Sequence, residues 1–138
     1  MKALLDLNVM LDFLEKRSPF YEGAVSIVDA VLYGWAQGAL AAHAVTTLSY
    51  FLAKGTDRDR QWETLQWLLD TFEIVPCDKQ VLADALALGI KDYEDAVTCV
   101  AAARAGCSHV VTRNVQDFLR SPVPALTPAE FLHAVETR

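Results

Sequence analysis

Short apolar runs alternate with longer segments of helical spacing along this chain, and no feature constrains its fold more. Such alternation predicts strand–helix–strand units, hence a parallel sheet with helices on both faces. Ala3-Leu4-Leu5 reads as a first strand ending at Asp6, with Asn8 capping a helix to about Glu15. Pro19 fits the first turn of a second helix, to about Trp35, whose Ala24, Ile27, Val28, Val31 and Leu32 recur at helical spacing. Ala39–Ala42 follows as a second strand, then a helix from Val45 to Ala53. Thr56 or Asp57 caps a helix to about Asp70, and Phe72–Pro76 is a third strand. Asp78 caps the next helix, and Asp92 opens another that ends at Ala105 before Gly106. His109–Thr112 is a fourth strand. Thr127, Pro128 and Glu130 spell a capping box for a final helix.

The 138 residues suit one domain, spanning 1–138, and 53% of them are hydrophobic, enough for a packed core. No apolar run approaches the roughly 18 residues of a membrane span, and Asp6 interrupts the apolar start that a secretory leader would need. A cytoplasmic protein is therefore expected. Cys77, Cys99 and Cys107 show neither zinc-ligand spacing nor an even disulfide count. The net charge of −6 argues against a protein that merely coats nucleic acid, because phosphate neutralisation needs a basic face. It is compatible with an enzyme whose acids hold divalent cations, since a bound cation reverses the local sign.

In parallel α/β sheets, functional residues gather beyond the carboxyl ends of the strands. Asp6 ends the first strand, Asp95 lies in the first turn of a helix with Asp92 before it, and Asp117 follows the fourth strand. These acids are predicted at one sheet edge. Converging carboxylates repel and their pKa values rise unless a cation is present. Mg²⁺ or Mn²⁺ relieves this with oxygen ligands, and supports attack of water on a phosphodiester. Asn8, Thr112 and Asn114 offer neutral hydrogen-bonding support, and Arg113 between the last two is the expected phosphate contact. Each acid also has a plainer reading. Asp6 and Asp92 are caps by position, Asp92 the more so, and Asp117 is a solvated loop acid. His43 follows a strand end near the expected groove, whereas His109 reads as a core or edge residue.

Leu5-Asp6-Leu7-Asn8 resembles the opening of PIN domains, Asp92-Tyr93-Glu94-Asp95-Ala96 their central acidic motif, and Thr112-Arg113-Asn114-Val115-Gln116-Asp117-Phe118 their signature near the end. Thr127-Pro128-Ala129-Glu130-Phe131-Leu132 is similar to their closing segment. The resemblance implies a three-layer α/β/α sandwich around a parallel sheet of about five strands. It implies Mg²⁺- or Mn²⁺-dependent cleavage of single-stranded RNA, with Asp6, Asp95 and Asp117 as metal-site acids and Asn8, Thr112 and Asn114 in support. It further implies a toxin of the virulence-associated (VapC-like) type, a cognate antitoxin as partner, and a homodimer.

One departure stands out. The family usually carries a Glu in the helix after the second strand, and no acid occurs here between Asp29 and Asp57. Thr46, Thr47 or Ser49 takes that place, with Thr47 the expected supporting residue. Two other readings follow: a degenerate PIN domain that binds RNA or a protein without cutting it, and a phosphatase of the haloacid-dehalogenase type. The latter needs Asp-x-Asp after the first strand, and Asn8 is a poor general acid.

Overall fold

The computed structural model describes residues 1–138. Five parallel strands form one sheet: β1 (Lys2–Leu5), β2 (Gln37–Ala41), β3 (Glu73–Val75), β4 (His109–Val111) and β5 (Ala125–Leu126). Their spatial order is β3-β2-β1-β4-β5, so the chain winds outward from β1 in one direction and then restarts on its other side at β4. Seven helices cover the sheet: α1 (Leu7–Leu14), α2 (Tyr21–Leu32), α3 (Ala42–Leu52), α4 (Arg58–Thr71), α5 (Lys79–Leu86), α6 (Tyr93–Arg104) and α7 (Pro128–Thr137). The α/β/α sandwich with a five-stranded parallel sheet is the architecture expected. No helix is long and apolar enough to cross a membrane.

The period-2 geometry of the strands divides the core in two. Ala3, Leu5, Leu40 and Val111 point to one face, where they pack with Val9, Met10, Ile27, Leu48, Leu68 and Phe131 from the surrounding helices. Leu4, Ala39, Ala41 and Val110 point to the other, against Cys99, Ala101 and Ala102 of α6. The opposite side of α6 buries Ala96, Val97 and Val100 against Val81 and Ala85 of α5. Small side chains let α6 lie close between the sheet and α5, as its alanine-rich sequence predicts. Gly38 in β2 has a similar steric cause: a Cβ there would lie 2.8 Å from Phe72 Cδ1 and 2.9 Å from Val31 Cγ2.

Several element ends differ from the sequence reading. Asn8 does not cap α1. Asp6 occupies the cap position with extended backbone, and Asn8 lies in the first turn. Pro19 precedes α2 rather than opening it, because a turn closed by Phe20 N–H on the Arg17 carbonyl takes up the chain first. The helix ends at Leu32, before Trp35, which is 59% exposed. β2 begins earlier than expected, since Gln37 N–H already bonds the Met1 carbonyl, and α3 starts at Ala42 with no intervening loop. β5 has only two residues and carries no readable alternation; its ladder to β4 defines it. Asp57, Asp78 and Asp92 cap α4, α5 and α6 through their side chains, and the Thr127–Glu130 capping box opens α7.

The core also holds a charge. Asp12 on α1 is 1% exposed, and Arg113 after β4 reaches it. Arg113 Nη2 donates to Asp12 Oδ1 at 3.3 Å, while Nε lies 2.7 Å from Oδ2. The Nε contact is ionic only, off the hydrogen-bonding direction, so that nitrogen has no hydrogen-bond acceptor. The guanidinium also stacks on Phe20, 3.9 Å from the ring centroid. Removing one member of a buried pair leaves the other charge uncompensated. Arg113→Met should therefore destabilise the fold by about 3 kcal/mol. Asp12→Leu combined with Arg113→Met should recover most of that loss, and urea unfolding of both variants checks the pair.

Candidate active site

At the carboxyl edge of the sheet, the gap between β1 and β4 is the point where strand order reverses, and open parallel sheets bind ligands at such points. A cavity of about 240 Å³ opens there. It is lined by Asp6 and Asn8 after β1, His43 after β2, Asp92, Glu94, Asp95 and Thr98 on α6, and Asn114 and Asp117 after β4. Only three of its twelve lining residues are hydrophobic. An adjoining concavity of about 370 Å³ is bounded by Lys91, Asp92, Asp95 and Asp117.

Local structure explains each position. Asp6 is 5% exposed, and its backbone N–H bonds the Val111 carbonyl, extending the β1–β4 ladder by one residue. Its side chain makes no cap bond. Instead Oδ2 accepts from Thr112 Oγ1 at 3.0 Å, and Thr112 Oγ1 in turn accepts from the Asn114 backbone N–H at 3.1 Å. Thr112 thus supports Asp6 from beneath the cavity. Asn114 precedes a 3-10 turn, Val115–Phe118, whose Phe118 is buried in the core. That anchor leaves Asp117, one residue earlier, on the cavity wall. Asp92 caps α6 by accepting from Asp95 N–H at 3.0 Å, and it lines the cavity as well. The capping role expected of it does not remove it from the site.

Arg113 falls differently from its sequence expectation, and Glu94 enters the site without one. Arg113 is drawn away from the cavity by buried Asp12 and is not among the lining side chains. The sequence shows no sign that Asp12 is buried. Glu94 lines the cavity and meets Thr47, one of the α3 residues that stand where the family usually carries an acid. The direct link is from Thr47 Oγ1, whose single proton is shared between Glu94 Oε1 at 3.3 Å and the His43 carbonyl at 3.2 Å. Adjacent positions in mid-helix diverge, which argues against Glu94 and Asp95 serving one site. Both lie in the first turn of α6, and at that end of the helix both side chains border the same cavity. His43 also reaches the wall, because α3 begins at Ala42 and places it in the first turn.

The crowding of acids has an electrostatic signature. Burial pushes the Asp95 carboxyl from 3.8 up to about 7, with further increments from the charges of Asp6, Asp92, Asp117 and Glu94. Burial likewise raises Asp6, opposed by the Thr112 hydrogen bond, the Leu7 N–H and the Arg113 charge. Burial lowers His43, against the charge and carbonyl of Glu94, so its neutral form is favoured near pH 7. The buried thiols of Cys99 and Cys107 are pushed up to about 11, which excludes them as nucleophiles at neutral pH.

The donor set fits a hard divalent cation by its chemistry: mostly oxygen ligands, five of them carboxylates, around a polar cavity with His43 as the one nitrogen donor on its wall. The side chains line the wall without closing to ligand distances, and no three of His, Cys, Asp and Glu stand near enough to enclose an ion. The fit therefore rests on charge and donor type, and a cation would draw the carboxylates inward.

A raised carboxyl pKa favours the protonated form in the fold, so its effect on stability has a definite sign. The folded chain retains a proton at Asp95 that the unfolded chain has lost, between the ordinary 3.8 and about 7. Stability thus falls as pH rises through that window, and the cost is fully present above it. In the absence of divalent ions, Asp95→Asn should raise Tm by a few degrees above neutral pH. Little change is expected below the ordinary carboxylate range, and thermal melts across pH read the difference.

The sequence model of the PIN domain family matches residues 2–116. No curated protein matches the chain. Among solved structures, a toxin–antitoxin complex from Klebsiella pneumoniae superposes with a TM-score of 0.70 at 24% identity, covering 91% of this chain and 97% of that one. FitAcB from Neisseria gonorrhoeae gives 0.69 at 23% identity, with 94% and 99% covered. VapBC2 from Rickettsia felis, bound to a DNA fragment from its promoter, gives 0.66 at 16% identity, with 92% and 98% covered. At these identities the likeness establishes the fold. With the family match across most of its length, the chain belongs to the PIN domain family.

Proposed function

We propose that the protein is a metal-dependent endoribonuclease that cleaves single-stranded RNA. The observation that carries this reading is the cavity at the β1–β4 switch point, where five carboxylates meet and Asp95 is pushed to about 7. Mutually repelling acids around a polar cleft suit cation binding better than they suit fold stability. Asp6, Asp95 and Asp117 would hold Mg²⁺ or Mn²⁺. A cation bound there supplies neutralisation of the scissile phosphate and stabilises the leaving oxygen. Thr112 fixes the orientation of Asp6 through its hydrogen bond, and Asn114 is held in register with it. Asn8 offers a neutral amide to a phosphate oxygen or to water from the first turn of α1.

Glu94 favours catalysis over the degenerate alternative. The acid absent from α3 has a counterpart on α6, tethered by the α3 residue Thr47. Five carboxylates thus line the cavity although α3 contributes none. The structural neighbours include a toxin–antitoxin complex, which supports a toxin role with a cognate antitoxin as partner. A homodimer is proposed from the family resemblance alone.

Asp6→Asn and Asp117→Asn should each abolish cleavage of a single-stranded RNA in Mn²⁺ while preserving the far-UV circular dichroism spectrum. Cleavage at the wild-type rate by either variant would remove the mechanism. Glu94→Gln should weaken the Mn²⁺ dependence of the rate by about tenfold. Adding Thr47→Glu to that variant should restore part of it, since position 47 faces the same flank. An unaltered metal dependence in Glu94→Gln would exclude Glu94 from the site.

A further inference from the structure

A cavity walled by acids in a chain of net charge −6 repels a polyanion, so productive RNA binding needs positive charge close to the entrance. Arg113 does not supply it, being engaged by Asp12. Lys2, Arg17 and Arg104 are likewise held in ion pairs, with Glu73, Glu15 and Asp84. No cation lines the 240 Å³ cavity itself. Lys91 lines the adjoining concavity with Asp92, Asp95 and Asp117, is exposed, and forms no ion pair.

The segment carrying Lys91 is fixed rather than loose. Leu88 and Ile90 pack into the apolar clusters on both sides of α6. Between them, Gly89 adopts φ +72°, a conformation that side chains rarely take. Arg120 lies over its backbone: a Cβ at Gly89 would meet Arg120 Nη1 at 2.5 Å. Arg120 follows the 3-10 turn that presents Asp117 and also forms no ion pair. Two cations without ion-pair partners therefore stand on neighbouring segments, Lys91 on the concavity that Asp95 and Asp117 border and Arg120 across Gly89 two residues before it.

We infer that Lys91 and Arg120 form the lip across which the phosphate backbone of the RNA substrate enters, each contacting a phosphate outside the scissile bond. This assignment rests on the nuclease reading above and adds the path of the substrate to it. Such contacts bind without reading sequence, and each adds to the salt dependence of binding.

The test compares wild type, Lys91→Gln, Arg120→Gln and the double variant in steady-state cleavage of a labelled single-stranded RNA with Mn²⁺. Fluorescence anisotropy of the same oligonucleotide is measured in parallel on an Asp6→Asn background. Each substitution should raise KM and Kd by about fivefold, the loss falling on KM rather than kcat. The slope of log Kd against log salt should fall by roughly 0.7 per cation removed. Unchanged KM, Kd and slope in the double variant, with wild type cleaving, would overturn the lip and leave the nuclease standing. RNA that binds wild type without being cut, and binds the double variant more weakly, would uphold the lip and remove the catalytic reading. RNA that is neither bound nor cut would overturn both.

Discussion

Repulsion among carboxylates is the constraint around which this molecule is organised. Asp6, Asp92, Glu94, Asp95 and Asp117 come from three separate parts of the chain and meet at one cavity, with no cation on its wall. The fold holds them there through contacts that do not depend on those charges. Asp6 is carried on the ladder between β1 and β4 and hydrogen-bonded to Thr112. Asp117 is held by the burial of Phe118 beside it, and Asp95 by a helix whose next seven residues are buried on two faces. The apolar core opposes the electrostatic strain at its edge; burial raises the Asp95 carboxyl, and the charges of its four acidic neighbours raise it further.

The same economy appears on the other face of the sheet. Asp12 and Arg113 form a pair that ties α1 to the segment just after β4. This contact holds in place the backbone between Thr112 and Asn114, the two residues that brace Asp6. Arg113, which by sequence stands beside the cavity, is thus used for structure. On the proposed reading, attraction of RNA then falls to side chains on the rim. Arg113 has an anionic partner within the core, whereas Lys91 and Arg120 are exposed and form no ion pair.

Much of this was legible in the sequence, and the exceptions have physical causes. Strand–helix alternation, the capping aspartates at 57, 78 and 92 and the Thr127–Glu130 box are local signals, and each stands where expected. The placing of Asp6, Asp95 and Asp117 at one edge follows from the winding rule for parallel sheets. The two-residue β5 is set by pairing with β4, which no local pattern reveals. The burial of Asp12 is a tertiary fact, and without it Arg113 reads as a free phosphate ligand. Glu94 and Asp95 are adjacent on α6 and so point on different bearings; that both still border the cavity is set by the cavity's shape, which no local pattern reveals. His43, which the sequence places just after the second strand, reaches the wall as expected, because α3 follows β2 without a loop.

The central claim is that these acids form one cation site whose charge is relieved on binding. Calorimetric titration of Mn²⁺ near pH 7, repeated in buffers of different ionisation enthalpy, measures both the affinity and the protons released. With Asp95 titrating at about 7, saturable binding should release a substantial fraction of one proton, and Asp95→Asn should lose that release. Binding without proton release, or no saturable binding to the wild type with RNA present, would contradict the account.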